Sequence, residues 1–210
     1  LSETLVKTTP ILLCALAVIL PARLGLISVG ADGQLYLGAL VGTGLVLAMP
    51  HAPGPILLPL MLLAGAVGGA LMALVAGGLK ARLRVNETIV TLLLNYVGLL
   101  LVNFVVYGPW KDPANLGWPA TAPFPETARL PALFGTRAHA GLLIAIALAL
   151  LLHLVLRHSR TGLVLEVLKG NERVGRMAGL DFGRAVLWTM ALGGAIAGIA
   201  GIAEASTIQG

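Results

Sequence analysis

Residues 56–79, ILLPLMLLAGAVGGALMALVAGGL, decide the fold. The stretch contains no charged side chain. A helix needs about 20 apolar residues to cross the ~30 Å hydrocarbon layer of a bilayer, and backbone groups in lipid must be bonded within the helix itself. This stretch is therefore read as a transmembrane helix. Three further runs read the same way, at 89–107, 140–156 and 185–203. Two are less regular: 10–27 is interrupted by Pro21 and Arg23, and 35–49 is short, with Gly30-Ala31-Asp32-Gly33 between them.

The expected fold class is an all-α, polytopic transmembrane helix bundle of about six spans, with a discontinuous segment near 28–36 and a single domain over 1–210. Composition agrees, since 58% of residues are hydrophobic and only 11% charged, against about a quarter charged in ordinary globular domains. The chain opens on Leu1 rather than Met and stops just after an apolar run, so it is expected to be truncated at one or both ends; its start carries no signal-peptide pattern. The single cysteine, Cys14, lies in an apolar run and reads as a packing residue.

Orientation follows from the basic residues. Arg23, then Lys80, Arg82 and Arg84, then Arg157, Arg160, Lys169, Arg173, Arg176 and Arg184 fall on one set of alternate loops, whereas Lys7, Lys111, Arg129 and Arg137 fall on the other. The richer set is expected in the cytoplasm, which puts 108–139 and the 50–55 turn outside. The net charge of +5 thus reads as an orientation signal, and no nucleic-acid partner is expected. Small residues recur at four-residue spacing in Gly38/Gly42, Gly65/Gly69, Gly194/Gly198 and Ala197/Gly201, a spacing that lets helix backbones approach closely in lipid.

Five features invite a functional reading. Residues 28–36 combine helix-breaking glycines with Asp32 and Gln34. They suit either a helix broken at membrane depth or a tight cytoplasmic turn with Asp32 at a helix start. Thr88, Thr91 and Asn95 share one face of the span that Asn86 is placed to cap; Asn95 can join helices together or face a pathway. The outer loop holds Pro109, Pro113, Pro119, Pro123, Pro125 and Pro131 with Trp110 and Trp118, suited to presenting a surface or to capping the interface with aromatic rings. Between Arg157 and Arg184, Asn171 can cap a two-turn helix that Gly179 ends, with Val174, Met177 and Leu180 as an apolar edge. Glu204 closes the last span and is either interfacial or, at bilayer depth, a functional carboxylate. His51, His139, His153 and His158 show no metal-ligand spacing, and no Gly-Lys dipeptide of a phosphate-binding loop occurs.

Taken in order, Ser28 to Gly38, Asn86-Glu87-Thr88-Ile89-Val90-Thr91 with Leu94-Asn95-Tyr96, Gly108-Pro109-Trp110-Lys111-Asp112-Pro113 with the 121–131 loop, and Gly170-Asn171-Glu172 through Gly179-Leu180 resemble bacterial ABC permeases for nucleosides and simple sugars. That group is related to the ribose and branched-chain amino-acid permeases. Ser28 stands where the family has Asn, Asp32 where it has Glu, and Val174 and Gly175 where it has small alanines. The resemblance implies a multi-pass inner-membrane permease subunit that works by alternating access and hydrolyses no ATP. It implies three partners: an ATP-binding subunit carrying ATP-Mg, a second homologous permease and an external substrate-binding lipoprotein. From the residues themselves, Asp32, Gln34 and Asn95 are the candidates for the substrate pathway. Coupling to the ATPase falls to Asn171, Glu172, Arg173, Arg176, Met177 and Gly179. No cofactor or metal is expected on this chain itself. The competing class is an ion-coupled secondary transporter with Asp32 or Glu204 as the ion-linked carboxylate.

Overall fold

In a computed structural model, which describes residues 2–112, 120–131 and 140–208, the chain is a bundle of α-helices, and no strand occurs among the described residues. In chain order the helices are α1 (Ser2–Arg23), α2 (Ala31–Ala48), α3 (Gly54–Leu83), α4 (Glu87–Tyr107), α5 (Gly141–His158), α6 (Arg160–Gly170), α7 (Glu172–Met177) and α8 (Phe182–Ile208), with one 3-10 turn at Glu126–Ala128. Among the described residues six of these, α1 to α5 and α8, are long and apolar enough to cross a membrane.

The two irregular spans differ from the sequence-based expectation. α1 stops at Arg23 rather than continuing to Ile27. Gly25, at φ +81°, turns the chain so that its N–H donates to Ala22 O and the Leu26 N–H to Pro21 O, both at 3.0 Å. Two such bonds over a left-handed glycine close a helix by satisfying its last carbonyls. Pro10 sits inside α1 and Pro21 in its final turns. In turn α2 begins at Ala31, so Ala31, Asp32 and Gly33 form its first turn rather than an interhelical loop.

Helix α8 is the hub. Gly69 faces the backbone of Gly194 and Gly198, Gly65 faces Gly198 and Ile202, Gly38 faces Gly198, and Gly201 faces the Leu35 carbonyl. At each of these positions a Cβ would collide with a neighbouring helix, so the absent side chains let α2 and α3 lie directly on α8. All four small-residue pairs of the sequence therefore take part; Ala197 is fully buried.

The two ends of the bundle differ. At one end, Leu24 and Leu26 cluster with Ala73, Ala76, Leu165, Leu168, Val186 and Met190. This cluster joins the chain after α1, the end of α3, helix α6 and the start of α8, and so gathers the basic segments at one end. At the other end, Phe124 and Ala128 of the outer loop pack among Val46, Leu57, Met61 and Ile202. Part of that loop is thus a buried plug, with Phe124 only 2% exposed. Trp118 with residues 113–119, and Arg137 and His139 with residues 132–139, lie outside the described residues.

Candidate functional site

Residues 24–30 leave α1 and run along one face of α4, where α4 side chains bond their backbone. Ile27 N–H donates to Glu87 Oε1 (3.3 Å), Thr88 Oγ1–H to Ile27 O (3.0 Å), Val29 N–H to Thr91 Oγ1 (3.2 Å), Asn95 Nδ2–H to Val29 O (2.8 Å) and Gly33 N–H to Asn95 Oδ1 (2.8 Å). A non-helical segment cannot bond its own N–H and C=O groups, and leaving them unpaired in lipid costs on the order of several kcal/mol each. The expected polar face of α4 supplies these partners. Thr88, Thr91 and Asn95 do share it, and Glu87 joins them.

The zipper sets where α2 begins. Gly30 has no side chain with which to cap the helix, and no side-chain cap is formed there; Asn95 caps in its place, from another helix, by accepting the Gly33 N–H. Two glycines are required for this approach. A Cβ on Gly30 would lie 2.9 Å from Thr91 Cβ, and one on Gly33 would lie 2.9 Å from Asn95 Cα. Asn95 stands eight residues into α4, about 12 Å along its axis. Gly30, just before α2, lies against Thr91, four residues and about 6 Å into α4, so α2 starts about one turn in from the first residue of α4, with Asp32 in its first turn.

The three pathway candidates do not play equal parts. Asn95 is engaged with the backbone of Val29 and Gly33. Gln34 is 4% exposed and lies over Gly30, where its Nε2 would be 3.1 Å from an added Cβ. Asp32 is exposed in the first turn of α2. Toward the opposite end, α2, α4 and the outer loop enclose a cavity of about 210 Å³ lined by Tyr36, Thr43, Val102, Val106, Trp110 and Thr121. Trp110 lies against Gly44 near the outer end of α2. Glu204 is inside α8, which continues to Ile208, so the helix does not end near Ala203.

At the basic end, α7 has the predicted architecture. Asn171 Oδ1 accepts from Arg173 N (2.9 Å) and Val174 N (3.3 Å). Gly179, at φ +78°, donates to Arg176 O, and Leu180 N–H to Gly175 O at 2.9 Å. Both helix ends are thus closed. Glu172 and Arg176 form an ion pair one turn apart. Arg173 is exposed, as are Val174 and, at 82%, Met177. Leu180 departs from the expected apolar edge: it packs inward on the Leu24–Met190 cluster. That edge is Val174 and Met177 alone. A cavity of about 660 Å³ separates α7 from the end of α3, lined by Lys80, Arg84, Glu172, Arg176, Asp181 and Phe182.

Sequence reasoning missed α6. Its signal was present: Ser159 Oγ accepts from Thr161 N (3.2 Å), and Leu165 and Leu168 bury themselves one turn apart. Glu87 was missed too; besides holding Ile27 it pairs with Lys80 at 2.7 Å, fastening α3 to α4.

Comparison with known proteins agrees with this architecture. The family model described as branched-chain amino acid transport system / permease component matches residues 1–210. The glucose ABC transporter permease protein of Haloferax volcanii is 38% identical over the whole chain. The guanosine ABC transporter permease protein of Bacillus subtilis is 31% identical over 96% of it, and the nucleoside ABC transporter permease protein of Lactococcus lactis 26% over 96%. The chain spans 58% of the length of each of these relatives. No solved structure matches it significantly. The glycine-seamed bundle, the helix broken against α4 and the doubly capped α7 are therefore those of a multi-pass membrane protein that belongs to the family of branched-chain amino-acid transport system permease components.

Proposed function

We propose that this chain is the core of a permease subunit of an ATP-binding-cassette importer in the plasma membrane, conducting nucleosides or simple sugars. The observation that carries the coupling half is α7: a helix of six residues, too short to be stable alone, is capped at both ends and presents Val174 and Met177 outward. Such a rigid, exposed knob at the basic end suits insertion into an ATP-binding subunit, which hydrolyses the ATP. The cargo follows from the sugar and nucleoside relatives. A second homologous permease and an external substrate-binding lipoprotein complete the assembly in this reading.

On the pathway, Asp32 and Gln34 sit at the mouth of the broken helix α2, and Asn95 acts as a positioning residue that holds the break open. Movement of α7 passes through α6 and the Leu24–Met190 cluster to the start of the zipper, which tilts α2 against α4 and alternates access. Gly179→Val tests the coupling assignment. A β-branched residue is strained at φ +78°, so uptake should be lost while membrane insertion and the zipper persist. Normal uptake by this variant would refute the assignment. Uptake that survives ATP depletion but collapses with an uncoupler would transfer the chain to the ion-coupled class, with Asp32 or Glu204 as carboxylate.

A further inference from the structure

α1 and α5 run in the same direction and both finish at the basic end, with Arg23 and Arg157 in their last turns. They meet through Leu13, Leu16, Leu20 and Ala145. Closer to the basic end a cavity of about 430 Å³ lies between them. Its walls are graded. Leu16, Ile19, Ala149 and Leu152 form the deeper part, His153 and Leu156 come next, and Arg23, Arg157 and Glu166 form the mouth. A smaller cavity of about 60 Å³ adjoins it, sharing Arg23, Leu156 and Glu166 and adding Lys169. Three permanent cations thus face one carboxylate, and no ion pair joins them among the described residues. Arg23, Arg157, Lys169 and Glu166 are all exposed.

We infer that this cleft is a seat for one anionic phospholipid of the leaflet at the basic end. The order of its walls is the order of the lipid. From Leu16 to Arg23 is seven residues, about 10 Å of helix, which lies along the inner part of a ~30 Å hydrocarbon core. An acyl chain fits against the leucines, where it removes apolar surface from voids, and the phosphate reaches the arginines. Basic pockets between membrane helices on the cytoplasmic side hold anionic headgroups in this way, and each basic side chain near the surface adds an attraction of about fivefold in affinity. A zwitterionic lipid gains no such net attraction. A soluble anion would satisfy the mouth and leave the apolar wall unfilled. The site lies on α1, α5 and α6, away from α7 and the zipper, and does not depend on the transport reading. By bridging α1 to α6 the lipid ties the helix preceding the zipper to the helix that supports α7.

The test uses the complete permease chain in nanodiscs of phosphatidylcholine with a minor share of phosphatidylglycerol, followed by native mass spectrometry. Wild type should carry about one phosphatidylglycerol through mild detergent release and should not be emptied by excess inorganic phosphate. Arg23→Gln with Arg157→Gln should lower retention by about 30-fold. Arg23→Lys with Arg157→Lys should restore most of it, and Ala149→Phe, which fills the apolar part, should lower it as well. Arg82→Gln, at the same end but outside the cleft, should leave it unchanged. Three results would overturn the inference: wild type carrying no phosphatidylglycerol, as expected if another segment of the longer chain fills the cleft; displacement by phosphate; or wild-type retention by either the Gln pair or Ala149→Phe.

Discussion

α8 and α4 are both apolar enough to span a membrane, and α4 is the more apolar of the two, yet 61% of an apolar 18-residue stretch of α8 is buried inside the bundle against 11% of the corresponding stretch of α4. The difference lies in side-chain size and polarity rather than hydropathy. α8 is built from glycine and alanine that meet other backbones, whereas α4 exposes Leu93, Leu100 and Phe104 and meets the bundle along a narrow face that holds Glu87, Thr88, Thr91, Asn95 and Gly98. In lipid, apolarity drives no helix to the centre, because the surroundings are equally apolar; close packing and hydrogen bonds decide. The hub is therefore held by contact and α4 by hydrogen bonds to a broken neighbour.

The largest break in this comparison should come from the hub. Gly198→Leu drives a side chain into the Gly65 and Gly69 backbones and should cost about 3 kcal/mol or more, as overpacking does, read as loss of the folded monomer in detergent unfolding. Leu100→Ala on the exposed face of α4 should move stability by less than about 0.5 kcal/mol in the same assay. Equal effects would erase the distinction between hub and rim.

Asn95→Leu comes next. It removes both bonds that hold the break, leaving Val29 O and Gly33 N–H without that partner, at about 1–2 kcal/mol for membrane-embedded hydrogen bonds. Amide exchange at Gly33 should accelerate and uptake should fall. Unchanged exchange would show that the zipper closes without Asn95.

Asn171→Ala should cost about 1 kcal/mol through its cap, enough to unravel α7 locally without unfolding the spans; Asn171→Asp should retain the cap and the uptake. The smallest effect belongs to Glu87→Gln, which keeps an acceptor for Ile27 but gives up the charge paired with Lys80. Partly exposed pairs contribute about 0–1 kcal/mol, so thermal unfolding should shift slightly and more at low salt than at high.

Much of this was legible in the chain. The six spans, the Asn86 and Asn171 caps, the left-handed Gly179 and the shared face of Thr88, Thr91 and Asn95 each depend on residues within a turn or two of one another. The stop of α1 was equally local, since Gly25 follows Arg23 directly, but the apolar run beyond it masked the signal. Phe124 read as part of an outer surface, and Leu180 as part of an apolar edge. Phe124 proved buried and Leu180 partly buried because surfaces distant in sequence came to cover them.

By itself, then, the sequence determined that the chain crosses the membrane as helices, which loops gather at the basic end and where the short helix α7 is capped, because these follow from helix period, hydrophobic length and charge. Only the tertiary structure decided that residues 24–30 follow α4 without forming a helix and that the first turn of α2 lies beside Asn95. The partners that satisfy that backbone lie 60 to 66 residues away, and nothing in a local pattern tells a glycine which helix will press against it.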